Sequence, residues 1–321
     1  MVPKVLSLFV VFWVVLCIYG CSAGGAGQVL PTVIIVSAGT KQPAPTVAEP
    51  LQVQVSATAT SFGPSQTPRG GLLSPDVTAT PDLRLVPNRW REWPVVPGLS
   101  PHALSILRTA LKNPDLDPHV FSRVGDCQFT TDTFLAGYVK GIYPVPAGLQ
   151  ATTLYFQGSM TRDSLTAANG LGISSVLNPL FGAGAGHTEC NSNEAPLDCE
   201  LRLRRPALVL VAMGTNWKPF SERSFEKYLR QVVDKILATG ALPILATKAD
   251  NIETDWNLNQ AIATVAYDYD LPLVNVWSAV RPLPNHGLQS PKDIYLTGDG
   301  WMSRNDAWLR TLDLVRLAFE Q

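Results

Sequence analysis

The residues best suited to covalent chemistry fall together at Gly125-Asp126-Cys127. An apolar run over Val120–Val124 breaks at this tripeptide and resumes beyond it with helix-compatible spacing, the outline of a strand, a tight turn and a helix. A thiol on such a turn would stand at the C-terminal edge of a sheet, with its own N–H at a helix N-terminus, where developing negative charge is stabilised. A cysteine thiol, with an ordinary pKa of about 8.5, can ionise without a neighbouring base, whereas a hydroxyl cannot. The plainer alternative is that Gly-Asp merely closes a strand, since three residues without context are weak evidence.

The cysteines divide by position. Of the five, Cys17 lies inside an N-terminal apolar run and Cys21 at its end. Cys190 and Cys199 flank the polar stretch Asn191–Asp198, and a loop-closing disulfide is the reading that fits an oxidising compartment. Their spacing fits no common zinc pattern, so no metal is expected, and nothing in the sequence calls for a cofactor. Cys127 is then the one thiol left over for chemistry.

Compartment follows from the first residues. Lys4 is the only charge before an apolar run from Val5 to Tyr19, short for a membrane span and suited to a signal-peptide core. Residues 1–20 are expected to be that signal. The ending Ile18-Tyr-Gly-Cys21 resembles a bacterial lipoprotein signal, which implies lipid attachment at Cys21 and a protein held on the membrane at the bacterial cell surface. An ordinary signal peptide and an uncleaved anchor are the alternatives, and all three place the globular part outside the cytoplasm. Residues 21–95 read as a Thr/Pro/Ser-rich linker that cannot bury enough apolar surface to order itself; Val33–Val36 is its one strand-like stretch. A net charge of −1 with 16% charged residues offers no basic surface for a nucleic-acid backbone, so nucleic acid is excluded as a partner.

The elements that would position Cys127 are read from periodicity. The folded part is expected to begin near Trp90–Trp93, with the domain proper over residues 96–321. Ser100-Pro101 supplies a cap and a first helical residue ahead of Leu104, Leu107 and Leu111. Ala207–Met213 reads as a buried strand ending at Gly214-Thr215-Asn216, followed by a helix of about 18 residues that closes at Gly240. Leu242–Thr247 and Leu273–Trp277 are further strands, with a helix from about Asp255 between them and a terminal helix facing inward through Trp308, Leu312, Val315 and Phe319. Alternation of this kind predicts a three-layer α/β/α sandwich on a mainly parallel sheet, with ligands beyond the strands' C-terminal ends. Lys248, Asp250 and Asn251 follow a strand and should line that rim, in contact with substrate or as turn-forming residues. Asp126 is expected to accept backbone N–H groups in its turn.

The order and context of these turns resemble the SGNH (GDSL-type) hydrolases over roughly residues 95–321. The resemblance puts Gly125-Asp126-Cys127 at the first block, with Cys127 in the place of the serine nucleophile. It puts Asn169–Ser174 at the second block and Gly214-Thr215-Asn216-Trp217 at the third, so that Gly172 and Asn216 would build an oxyanion hole; Trp217 replaces the usual Asp. The fifth block, Asp-x-x-His in the family, matches the stretch Asp293–Gly300 with Tyr295 at the His position and Asp293 one place out of register. What the resemblance implies is ester hydrolysis in the ancestral domain. Without a general acid/base, a thioester intermediate has no obvious means of activating water, and losses of about 10²–10⁴ are usual for that role. The favoured expectation is therefore a degenerate member that binds a glycan or ester ligand without turnover. The alternative is an active Cys-based esterase or acyltransferase using Cys127 with His286, which lies on the loop before Tyr295. His102 on the first helix and His119 at the far end of the central strand are poorly placed, and His187 has no clear position. Trp217, Trp277 and Trp301 could stack on sugar rings, though core packing is the cheaper reading.

Overall fold

A computed structural model describes residues 84–182, 184, 186–217 and 221–320. The expectations for Cys17, Cys21, the signal peptide, Val33–Val36 and most of the linker lie outside the described residues.

Four parallel strands pair in sequence order: β1 (Asp117–Gly125), β2 (Pro206–Ala212), β3 (Leu242–Ala246) and β4 (Leu273–Val274). β2 and β3 are apolar and buried almost throughout, as both-face coverage of a parallel sheet demands, whereas β1 buries Ser122 and Arg123 among its last five residues. The helices are α1 (Pro101–Lys112), α2 (Ala136–Val139), α3 (Gln150–Tyr155), α4 (Gln157–Thr161), α5 (Pro196–Arg204), α6 (Glu222–Ala238), α7 (Asn257–Asp268), α8 (Val276–Val280) and α9 (Gly298–Phe319). The connections between sequential strands carry α5, α6 and α7 on one face, where α5 packs on α6 and α6 on α7. The other face is covered by α1 and α9, which come before β1 and after β4 and touch each other. The fold is thus the α/β arrangement with helices on both sides of a parallel sheet that the alternation predicts.

Register aligns the strands' C-terminal ends. Gly125 pairs with Ala212, Val211 with Leu245, and Ala246 with Val274. The turns that follow β1 and β2 therefore start side by side, which decides where any site must be.

Local chemistry explains several boundaries. Ser100 accepts from the Ala103 N–H as the cap of α1, and Gly240, at φ +87°, sits two residues beyond α6 where the helical turn ends. The expected strand Leu273–Trp277 contributes only two residues to the ladder. Asn275 stops it: its side chain caps α8 by accepting from Ser278 N–H and also donates to the carbonyls of Trp90 and Trp93. Those bonds hold residues ahead of position 96 in the domain. Trp90 is 1% exposed and packs its ring against Trp256 and Trp277, so the core takes in residues on the linker side of the expected boundary.

Candidate functional site

The turn after β1 depends on a glycine. A Cβ on Gly125 would lie 2.3 Å from Cβ of Phe129, so only a residue without a side chain lets the chain fold back so tightly. Gly125 N–H donates to Thr166 O at 2.8 Å, which brings the segment ahead of the second block alongside the strand end. Asp126 then organises the turn. Its carboxylate accepts the Gln128 N–H at 3.1 Å and, across the strand gap, the Thr215 N–H at 3.2 Å. Burial pushes the Asp126 carboxyl up to about 6; the nearby Asp250 adds to this, and the two N–H donors and Lys248 oppose it.

Cys127 is 5% exposed and opens a three-residue 3-10 turn, Cys127–Phe129. The helix expected directly after it does not form there. Asp126 draws the Gln128 N–H into a local cap, and the hydroxyls of Thr130 and Thr133 bond to nearby backbone, Thr130 Oγ1 to Cys127 O and Thr133 Oγ1 to Thr130 O. So short a turn sums few peptide dipoles, and charge at Cys127 would rest on nearby N–H groups rather than on a macrodipole.

The turn after β2 lies beside it. Gly214 holds φ +139°, and a Cβ there would meet Cδ of Lys248 at 3.0 Å. Asn216, half-buried, donates from Nδ2 to Leu171 O at 3.3 Å, which joins the third-block turn to the second-block loop one residue from Gly172. Gly172 O accepts Ser175 N–H in that loop. Trp217 is 7% exposed, packs against Phe225 and Tyr228, and donates from Nε1 to Ser221 O; its place is in the core.

The fifth-block segment reaches the same rim through Gln128. Its Nε2 donates to Ile294 O and contacts Thr215 Oγ1 at 3.4 Å, so the residue after Cys127 bridges the third and fifth blocks. Asp293 directs its carboxylate to its own backbone, accepting from Ile294 N–H at 2.7 Å and Tyr295 N–H at 3.0 Å. Tyr295 is half-buried, and its carbonyl accepts Gln289 N–H next to the antiparallel bridge between Leu288 and Leu296. His286 is exposed, and its Nδ1 lies 3.1 Å from Arg281 O in the same loop. A carbonyl can only accept, so Nδ1 carries the proton and Nε2 is the basic nitrogen. Asn285, His286 and Gly287 are consecutive left-handed residues, held by the Thr297 N–H and hydroxyl on Gly287 O.

Asp250 does not lie open at the rim. It is 0% exposed, accepts the Thr215 hydroxyl at 2.9 Å and pairs with Lys248 Nζ at 2.9 Å, and Lys248 also pairs with Glu253. The opposite side of the Cys127 turn is held by Arg304 of α9, whose guanidinium donates to Gln128 O, Thr133 O and Asn305 Oδ1 and lies over the ring of Trp301. Burial lowers this arginine's pKa to about 9, with Asp126 opposing the shift.

Thr215, Gln128 and Arg304 were not singled out from the sequence. The one signal was Arg304, four residues before Trp308 and so on the inward face of the terminal helix where apolar residues are expected. Cys190 and Cys199 form the expected disulfide, with Cα atoms 5.4 Å apart. They also form, with Glu194, the grouping nearest to a metal site among the described residues, but their sulfurs are spent on each other.

No protein-family model and no curated protein matches the chain. Solved structures do resemble it. A putative lipolytic protein of the G-D-S-L family from Desulfitobacterium hafniense is 14% identical with a TM-score of 0.41, covering 60% of this chain and 98% of that one. A putative SGNH hydrolase from Slackia heliotrinireducens is 15% identical with a TM-score of 0.40, over 61% and 99%. An acetylxylan esterase from Geobacillus stearothermophilus is 15% identical with a TM-score of 0.40, over 60% and 93%.

Proposed function

We propose that the domain is an SGNH-hydrolase-like module that binds a glycan or ester ligand at the C-terminal edge of its sheet without turning it over, held at the bacterial cell surface by lipid on Cys21. The observation that carries this reading is the pairing of strand ends at Gly125 and Ala212, with Asp126 bonded to Thr215 N–H, beside a fifth block that supplies no imidazole. Asn216 and the loop of Gly172 stay in contact through Leu171, as a ligand-orienting pair would require. Two carboxylates within reach of the sequence motif are committed to backbone groups: Asp293 to the N–H groups of Ile294 and Tyr295, and Asp126 to those of Gln128 and Thr215. A thioester on Cys127 would thus lack a base for its hydrolysis.

One observation favours a second reading, an esterase or acyltransferase in which His286 serves Cys127 and Asn216 and Gly172 form the oxyanion hole. The Nδ1 bond to Arg281 O leaves Nε2 basic, the tautomer that a general base needs, on a left-handed turn of the kind found at functional sites. Hydrolysis of short-chain p-nitrophenyl esters by the full chain, with Cys127→Ala, Cys127→Ser and His286→Gln variants, separates the two. No turnover above buffer supports the binding module. Turnover that disappears in both Cys127→Ala and His286→Gln overturns it in favour of the dyad. For the anchor, Cys21→Ala should release the protein from the membrane fraction, and retention would overturn lipid attachment.

A further inference from the structure

Three tryptophans far apart in the chain meet at the β4 edge of the sheet, whereas the Cys127 turn follows β1 at the other edge. Trp277 lies in α8 directly after β4, Trp256 ends the connection after β3, and Trp90 comes ahead of α1. Their ring centres are between 5.1 and 6.2 Å apart. Two arginines lie over this cluster. Arg91 Cζ is 4.5 Å from the Trp90 ring centre, 5.7 Å from that of Trp277 and 6.0 Å from that of Trp256, and Arg281 Cζ is 4.8 Å from Trp277. Both cations thus gather around one indole. Their backbones are tied to the same short helix, because the Ser278 hydroxyl donates to Arg91 O at 3.2 Å and the Arg281 N–H donates to Trp277 O at 3.0 Å. Both arginines are exposed. Arg84, Arg89, Arg205 and Arg310, also on the surface, each pair with a carboxylate. The guanidiniums of Arg91 and Arg281 have no ion-pair or hydrogen-bond partner among the described residues. Glu92, next to Arg91 in sequence, is spent on Arg89.

We propose that Arg91, Arg281 and Trp256 form a binding surface for an acidic polysaccharide, the arginines taking a uronate carboxylate and Trp256 the face of a sugar ring. A guanidinium lying over a ring still directs its N–H donors outward in its own plane, in the fork that matches the two oxygens of a carboxylate. Stacking also holds the side chains in place before a ligand arrives, so less rotamer freedom is lost on binding. Two like charges around one indole repel, and an anion beside them removes that repulsion. Trp256 is the ring with surface left for a sugar: it is half-buried, while Trp90 is 1% and Trp277 8% exposed. Its backbone is left-handed at φ +62°, a strained conformation for so bulky a residue, and Asn251 Oδ1 holds it by accepting the Trp256 N–H at 3.1 Å. A uronic acid carries both recognised features, carboxylate and ring face, in one sugar. The inference does not depend on whether the Cys127 turn binds or turns over a ligand of its own.

The test is isothermal titration calorimetry of the full chain with hexagalacturonate, with neutral maltohexaose and with hexaglutamate, which carries carboxylates but no sugar ring. The expected result is saturable binding of hexagalacturonate that weakens about tenfold or more in Arg91→Gln and in Arg281→Gln, the loss of one charged hydrogen-bonded contact. Arg108→Gln, at an exposed arginine on α1 outside the cluster, should bind as wild type does. Arg281→Gln leaves Arg91 over all three rings and carries the test alone if Arg91→Gln does not fold. No saturable binding of hexagalacturonate by the wild type, or equal binding by the wild type and Arg281→Gln, would overturn the proposal. Equally tight binding of maltohexaose would overturn it by showing that charge is not read, and equally tight binding of hexaglutamate would overturn it in favour of an acidic peptide.

Discussion

Thr215 donates its backbone N–H to the Asp126 carboxylate and its hydroxyl to Asp250, so one residue ties together the turns that follow β1, β2 and β3. The backbone bond survives any side-chain replacement; the hydroxyl bond does not. Thr215→Val would leave buried Asp250 without that donor, and the expected cost is about 1–3 kcal/mol of stability. Thr215→Ser keeps the hydroxyl and should lie close to wild type. Urea unfolding followed by tryptophan fluorescence makes the comparison, and equal midpoints for the two variants would show that the hydroxyl bond contributes nothing.

Asp126 sets a pH dependence of definite sign. Its folded pKa, about 6, is above the value of about 3.9 expected in the unfolded chain. Between these values the folded state binds more protons, so this group's contribution to stability is present at low pH and is lost as pH rises toward 6. The size is on the order of 3 kcal/mol, with no further change above that window. Other carboxylates titrate as well, Glu194 for one in the opposite direction beside Arg202. The quantity to measure is therefore the difference between wild type and Asp126→Asn, in urea titrations from pH 4 to pH 7. A difference that does not vary with pH would mean that Asp126 is ionised throughout.

Gly125→Ala tests the tightness of the Cys127 turn. The added Cβ meets the Cβ of Phe129, which cannot withdraw by a rotamer change because that atom is fixed to the backbone. Overpacking of this kind costs roughly 1–3 kcal/mol. A midpoint within error of wild type would show that the turn can relax at little cost.

The sequence disclosed the parts of this fold that follow from unbroken periodicity. Ala207–Met213 is apolar at every position, and its shortness and the Gly214 that ends it favour a buried strand, while the inward positions of α6 recur at helical spacing. What escaped was decided by single side chains. Asn275 ends β4 early because its amide serves both the cap of α8 and the carbonyls of Trp90 and Trp93, and no pattern around it announces either bond. Trp90 stands where the folded part is expected to begin, but no local pattern names its partners Trp256 and Trp277 far along the chain. The blocks around Cys127 and Asn216 were legible as motifs, whereas the burial of Asp250 and the reach of Gln128 to Ile294 arise from long-range contacts that a linear reading cannot supply.

The disulfide gives a last prediction, because its loop borders the element that steadies β1. Glu200 on α5 is 0% exposed, accepts the Ser122 hydroxyl at 2.7 Å and the Leu165 N–H at 3.0 Å, and so joins α5 to β1 and to the segment that meets Gly125. Cys199 immediately precedes it, linked to Cys190 nine residues back. Opening a loop of this length should cost roughly 2–3 kcal/mol in chain entropy. Arg202 offsets part of that, since its guanidinium holds Glu194 and the carbonyl of Glu189 across the same loop. The Cys190→Ser/Cys199→Ser variant should therefore unfold at lower urea than wild type, and adding Arg202→Ala to it should lower the midpoint more than Arg202→Ala does in the oxidised protein. If Arg202→Ala costs the same in both backgrounds, the two clamps act independently and the loop has no shared restraint.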